Sequence, residues 1–131
     1  MKTIHATLVA LSLTAAPAPA YTQEPNGAFG SPVRFTETTG AATYHSVCAG
    51  CHMSNALGAS GAATYPALAN DPRLAAPGYS IAVVLKGQKA MPGFARFLTD
   101  QQVAEVVTYI RQNFGNAFIE PITHEAVQAL R

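Results

Sequence analysis

Apolar residues recur at helical spacing in three stretches of this chain, and between those stretches the period vanishes. The clearest stripe is Val103, Val106, Val107, Ile110 and Phe114, with Tyr109 at its edge. It predicts a helix over 99–113 with one buried face. Thr99 and Gln102 supply a capping box at its start, and Gly115 a C′ stop. A second set, Gly40, Tyr44, Val47, Cys48 and Cys51, shares one face of a helix predicted over 36–52. Glycine inside a helix costs about 1 kcal/mol relative to alanine. A close crossing by another helix explains Gly40, and Tyr109 is placed to pack over Gly40 and Tyr44. A third set, Ile81, Val84 and Leu85, predicts a short helix over 79–86, with Ser80 as its cap and Gly87 as its stop.

Residues 53–78 show neither a helical nor a strand period and are rich in Ala, Gly, Pro and Asn. A loop of that length in a small domain is functional or is wrapped on something. At the other end of the chain, Lys2, the apolar run Ile4 to Ala16 and Ala18-Pro19-Ala20 read as a secretory signal peptide over 1–20. An uncleaved anchor is the alternative, although the run is short for a stable span. Residues 21–35 read as a flexible arm, 36–115 as one small domain, and 116–131 as a tail. Pro121 breaks the tail. Thr123 with Ala126 to Leu130 suggests one or two helical turns, docking on the domain or on a partner. The expected architecture is all-α, with three to four helices and long loops.

Charge matters by place rather than in total. Eight Lys and Arg face seven Asp and Glu, so without Lys2 the chain is balanced. Nothing in this suggests nucleic acid. Between Asp71 and Asp100, however, lie Arg73, Lys86, Lys89 and Arg96 with no acid among them. Such a stretch is either a field that steers an acidic partner or simply a solvated face.

The chemistry gathers in V-C-A-G-C-H-M, Val47 to Met53, which holds the only two cysteines. C-x-x-C-H reads as covalent attachment of a c-type haem. Two thioethers, from Cys48 and Cys51, pin one porphyrin edge to a helical turn and hold the imidazole of His52 beneath the iron. The competing readings are a dithiol redox motif, half of a zinc site and a plain disulfide. The first lacks a βαβ surround, the second lacks ligands at finger-like spacing, and the third closes a loop too small to stabilise much. A haem also gives the long aperiodic loop something to wrap, and compensates for a thin core. In K-A-M-P-G-F, Met91 precedes a proline and is biased to extended backbone, while Gly93 permits a bend. That places Met91 as the iron's other axial ligand, against the default reading of a lone methionine as core filler. His45 reads as a surface or packing histidine.

C-A-G-C-H, Y-P-A-L-A-N, A-M-P-G-F and V-V-T-Y-I-R, in this order, resemble a class I, single-haem c-type cytochrome over roughly 36–115. The resemblance implies a small cytochrome c fold wrapped around one covalently attached haem. It implies His52 and Met91 as metal ligands, and Cys48, Cys51, His52 and Met91 as the cofactor-binding set. It further implies a Pro66 carbonyl presented to the proximal imidazole, Leu68 near the ring, and first and last helices crossing at Gly40, Tyr44 and Tyr109. The tail is similar to the ends of cytochrome c domains that serve bacterial periplasmic dehydrogenases.

The function that this resemblance implies is that of a periplasmic one-electron carrier with no catalytic residues of its own. It takes electrons from a flavin- or quinone-dependent dehydrogenase and passes them to an oxidase or another cytochrome of the respiratory chain. With one haem motif rather than three, it suits a shuttle or small subunit better than a multihaem membrane role. The rival is a haem enzyme or gas sensor with an open distal position, for which no acid–base residue is placed.

Overall fold

The computed structural model describes residues 34–61 and 63–131. The proposed leader, and the arm as far as residue 33, lie outside the described residues. Four helices follow one another: α1 over residues 40–52, α2 Pro77–Lys86, α3 Asp100–Gln112 and α4 His124–Gln128. Between α1 and α2 run a two-stranded antiparallel ribbon, β1 Ala59–Ser60 and β2 Thr64–Tyr65, and a 3-10 turn, Pro72–Ala75. The all-α expectation therefore needs one small amendment. The ribbon arises inside the stretch that shows no period, because two residues per strand are too few to write an alternation.

α3 is the spine. Thr99 Oγ1 accepts from the Gln102 amide N–H at 3.2 Å, and Gln102 Oε1 accepts from the Thr99 N–H at 2.9 Å, so both halves of the capping box form. Gln102 does more than the motif requires. Its Nε2 donates to the carbonyls of Phe35, at 2.8 Å, and Glu37, at 2.9 Å, tying the extended segment before α1 to α3. Val103, Val106, Val107 and Ile110 are buried as the stripe predicts. Each such side chain contributes about 1.5–3 kcal/mol on burial. The helix ends one step earlier than expected. Phe114 already takes the left-handed conformation, and Gly115 follows at φ 79° with Asn70 packed where a side chain would be.

α1 also starts later than the periodicity suggests. Thr39 caps it, accepting from the Ala42 N–H at 3.2 Å, so residues 36–38 are not helical. Gly40 is then the first helical residue, not an interior one. The crossing it was expected to permit is present. A Cβ on Gly40 would run into the Glu105 carbonyl oxygen and lie 2.7 Å from Tyr109 Cβ. Tyr44, fully buried, stacks at 5.8 Å on Tyr109 and 4.9 Å on Phe114. α2 begins at Pro77 in its first turn, where proline's fixed φ suits the helix. Ser80 is thus a buried interior residue rather than a cap, displaced from that role by the proline. Ile81 and Leu85 face the core, and Gly87 at φ 77° ends the helix.

The tail folds onto α3. Ile122 N–H donates to Thr108 Oγ1 at 2.8 Å, Arg111 Nη1 donates to the Glu120 carbonyl at 2.6 Å, and Val127 of α4 is wholly buried. Thr123 caps α4. No helix among the described residues is long and apolar enough to cross a membrane.

Candidate functional site

The C-x-x-C-H stretch ends α1, and α1 is not regular where it arrives. Tyr44–Cys48 is a π-helical turn between α-helical turns at Gly40–Thr43 and Ala49–His52. The Ala49 N–H donates to the Tyr44 carbonyl, five residues back. The extra residue in that turn slips the helical face. The stripe drawn from Gly40 to Cys51 is therefore buried at Gly40 and Tyr44, half-buried at Cys48 and exposed at Cys51. A uniform 3.6-residue period misses this slip. Both thiols are free, Cys48 half-buried and Cys51 exposed. Burial, with Cys51 a smaller cause, pushes the Cys48 thiol up to about 12.

His52 is buried, 8% exposed, and its Nδ1 lies 2.9 Å from the Pro66 carbonyl oxygen. A carbonyl only accepts, so Nδ1 carries the proton and the Nε2 lone pair is left for a metal. Several contacts hold the carbonyl in place. The Gly58 N–H donates to the His52 carbonyl at 3.1 Å, and the Leu68 and Ala69 N–H groups donate to the Ala56 carbonyl at 2.8 and 3.0 Å. Gly58 sits at φ 67°, and a Cβ there would run into the Tyr65 carbonyl oxygen. Farther along, the buried Asn116 donates through Nδ2 to the Leu68 carbonyl at 2.8 Å and accepts from the Asp71 N–H at 2.9 Å. The Tyr44 hydroxyl donates to the Met53 carbonyl at 2.7 Å, fixing the exit from the histidine. Sequence reasoning misses Gly58 and Asn116. Only a positive φ or a long-range contact reveals either, and neither leaves a local signal.

Met91 stands on a separate element. Gln88 and Met91 exchange main-chain hydrogen bonds of 3.0 and 2.9 Å across a two-residue turn, with Lys89 at φ 54°. The extended backbone expected before Pro92 is present as this bridge. Phe94 and Ala95 N–H groups then donate to the Val84 and Leu85 carbonyls, at 2.9 and 3.2 Å, laying the segment back along α2. Gly93 permits that approach, since a Cβ there would be 2.7 Å from the Leu85 carbonyl oxygen. Met91 is half-buried, and no hydrogen bond among the described residues uses its sulfur. Cys48, Cys51 and His52 thus share one turn. No hydrogen bond among the described residues joins Met91 to them.

This donor set suits a covalently attached haem. It offers two unlinked thiols, one imidazole whose Nδ1 is already committed, and one thioether on a fixed backbone. The other histidines among the described residues do not compete on geometry. His45 is exposed with its ring edge-on to Tyr44, and His124 is exposed beside Glu125 at 3.1 Å. Among the described residues no cluster of three or more His, Cys, Asp or Glu gathers. The basic stretch is smaller than the sequence implies. Arg73 pairs with Asp71 at 2.8 Å, which leaves Lys86, Lys89 and Arg96 exposed without an ion pair among the described residues.

Helices crossing at a glycine, a C-x-x-C-H turn and a histidine bonded to a proline carbonyl define a cytochrome c domain. Comparison with known families agrees: the model for "Cytochrome C oxidase, cbb3-type, subunit III" matches residues 36–110, more than half of the chain, and the chain belongs to that family. It is 36% identical over 108 residues to the gluconate 2-dehydrogenase cytochrome c subunit of Pantoea cypripedii, covering 71% of this chain and 24% of that protein. It is 33% identical over 105 residues to the cytochrome c subunit of a quinone alcohol dehydrogenase of Komagataeibacter europaeus, covering 70% and 22%. With the fructose dehydrogenase cytochrome subunit of Gluconobacter japonicus it shares 34% over 112 residues, covering 73% and 23%. The chain therefore spans under a quarter of the length of these relatives.

Proposed function

We propose that this chain is a periplasmic one-electron carrier or electron-transfer subunit, not itself a catalyst. It would receive electrons from a flavin- or quinone-dependent dehydrogenase and deliver them to an oxidase or another cytochrome of the respiratory chain. Residues 1–20 are the export signal, 21–35 an arm, 36–115 the haem domain and 116–131 a tail packed on it. Cys48 and Cys51 would form the two thioethers to one haem c, and His52 and Met91 would hold its iron. When bound, the haem supplies one-electron exchange between ferric and ferrous iron.

The observation that carries this reading is the bond from His52 Nδ1 to the Pro66 carbonyl. It commits one ring nitrogen and orients the other, and a hydrogen bond to that carbonyl raises the basicity of the ligand. Met91 would supply the second protein ligand to the iron, which would leave no free coordination position for a substrate. Lys86, Lys89 and Arg96, around Met91 in sequence and exposed, suit a small, fast, acidic docking partner. The dehydrogenases named for the relatives make a sugar- or alcohol-oxidising donor the natural candidate.

The test is production with haem-attachment machinery, then optical spectroscopy. The chain should be red and retain its colour on denaturation, and its ferric form should show the weak red band of a thioether on iron. Met91→Ala should abolish that band and allow carbon monoxide uptake by the reduced protein. A colourless product, or Met91→Ala with an unaltered spectrum, would overturn the assignment of the haem or of the sixth ligand respectively. Changing Lys86 and Lys89 to Glu should slow reduction by a dehydrogenase partner and flatten its salt dependence. An unchanged rate would rule out docking through this face.

A further inference from the structure

We propose that Arg131 is a positioning residue for Met91, acting through the turn that comes after it. The inference rests on the reading of Met91 as an axial ligand. Arg131 has three acceptors within reach. Its Nε pairs with Asp100 Oδ1 at 2.6 Å, its Nη2 donates to the Leu98 carbonyl at 3.0 Å, and its Nη1 donates to the Ala95 carbonyl. Ala95 and Leu98 bound the turn after Met91-Pro92-Gly93-Phe94, and the Leu98 N–H closes that turn on the Phe94 carbonyl at 3.0 Å. Asp100 is the first residue of α3. One guanidinium therefore fastens both ends of the turn to the helix behind it.

The segment carrying Met91 is otherwise held by a local hairpin at one end, two main-chain bonds to α2, and Leu98 buried in the core with Phe94 and Ala95 packed against it. Apart from rotation of the Met91 side chain itself, displacing the thioether means moving this segment, and Arg131 resists that movement from the tail, alongside the α2 bonds and the buried Leu98. The tail delivers it there. Val127 is buried, and Leu130 Cδ1 lies 3.9 Å from where a Gly78 side chain would begin, so the tail passes over the start of α2 on its way to the turn. A planar fork with several donors is suited to bridging three separate acceptors, and a lysine is not.

The experiment compares holoprotein variants by two readouts during heating: the thioether-to-iron band, and helix content by circular dichroism. In Arg131→Ala the band should vanish well below the temperature at which helix content falls, and carbon monoxide uptake by the reduced protein should speed up about tenfold. Arg131→Lys should recover only part of this. Asp100→Asn, which keeps the carbonyl contacts, should shift the band in the same direction by less. Ile110→Val, which trims the core away from the turn, should move both readouts together. If Arg131→Ala also moves them together, or moves neither, Arg131 has no positioning role and the Met91 assignment stands untouched. If the wild-type protein shows no such band, both fall.

Discussion

The two sides of the candidate site are built differently. His52 is enclosed by contacts from farther along the chain: Pro66 on its ring, Gly58 on its carbonyl, and Asn116 bracing the loop that carries Pro66. Met91 is placed by its neighbours, Gln88, Val84 and Leu85, and by a single long-range clamp from Arg131. The first arrangement cannot open without disturbing buried structure. The second is more local, a half-buried Met91 on a short hairpin whose following turn reaches the core through Leu98. On the proposed reading, such a build would keep one ligand permanent and make the other adjustable.

Gly58→Ala should break the stronger side and have the largest effect. The substitution forces a side chain into left-handed backbone and against the Tyr65 carbonyl, next to the fully buried Ala56. Left-handed backbone and overpacking together should cost about 2–4 kcal/mol, read by chemical denaturation of the holoprotein. A cost within about 0.5 kcal/mol, typical of surface changes, would show that the His52 side is not rigidly fastened. Gly87→Ala is the matching change on the other side. It too meets a carbonyl, that of Met91 at 2.5 Å, but the hairpin tip it disturbs, Gln88 to Ala90, is exposed. We expect about 1–2 kcal/mol of global destabilisation and a much weakened thioether band, with the His52 Nδ1 proton resonance unmoved. A shifted Nδ1 resonance would mean that the two sides are coupled rather than separable.

The sequence shows this asymmetry only in part. The capping box at Thr99, the buried stripe of α3 and the Gly40 crossing are all legible, because each arises from local spacing or from one glycine that needs a reason. C-x-x-C-H and M-P-G-F are legible as chemistry for the same reason. The late start of α1 is not, since Thr36, Thr38 and Thr39 are all suitable caps and only the packing of Gly40 on Glu105 selects one. The π-helical turn is hidden because it changes the hydrogen-bond register, not the residue types. Asn116 and Arg131 are hidden because their partners lie tens of residues away. The loop of 53–78 reads as wrapped on something, and much of what holds it is main-chain bonding to Ala56 and to His52, which no side-chain pattern encodes.

The smallest expected effect tests how far the fastening of the His52 side extends. Asp71 ends the braced loop, its N–H bonded to Asn116 and its carboxylate gripped by the Arg73 guanidinium at 2.8 to 3.1 Å. The Arg73 side chain holds the carboxyl below the ordinary carboxylate range. Burial works in the opposite direction, and the Arg73 N–H adds to the lowering. A carboxyl depressed in the folded state contributes stability that is fully present above its unfolded value, about 4. That contribution is lost as pH falls through the lower folded value. Thermal unfolding followed from neutral pH downward should therefore steepen below that range, and Arg73→Ala should flatten the acid limb. Because the guanidinium is more than half exposed, the loss at neutral pH should not exceed about 1 kcal/mol. Should Arg73→Ala leave the acid limb unchanged, the grip on Asp71 contributes nothing to the loop, and the bracing of His52 stops at Asn116. Should it also weaken the thioether band, the bracing reaches Met91, and the contrast between the two sides is one of degree.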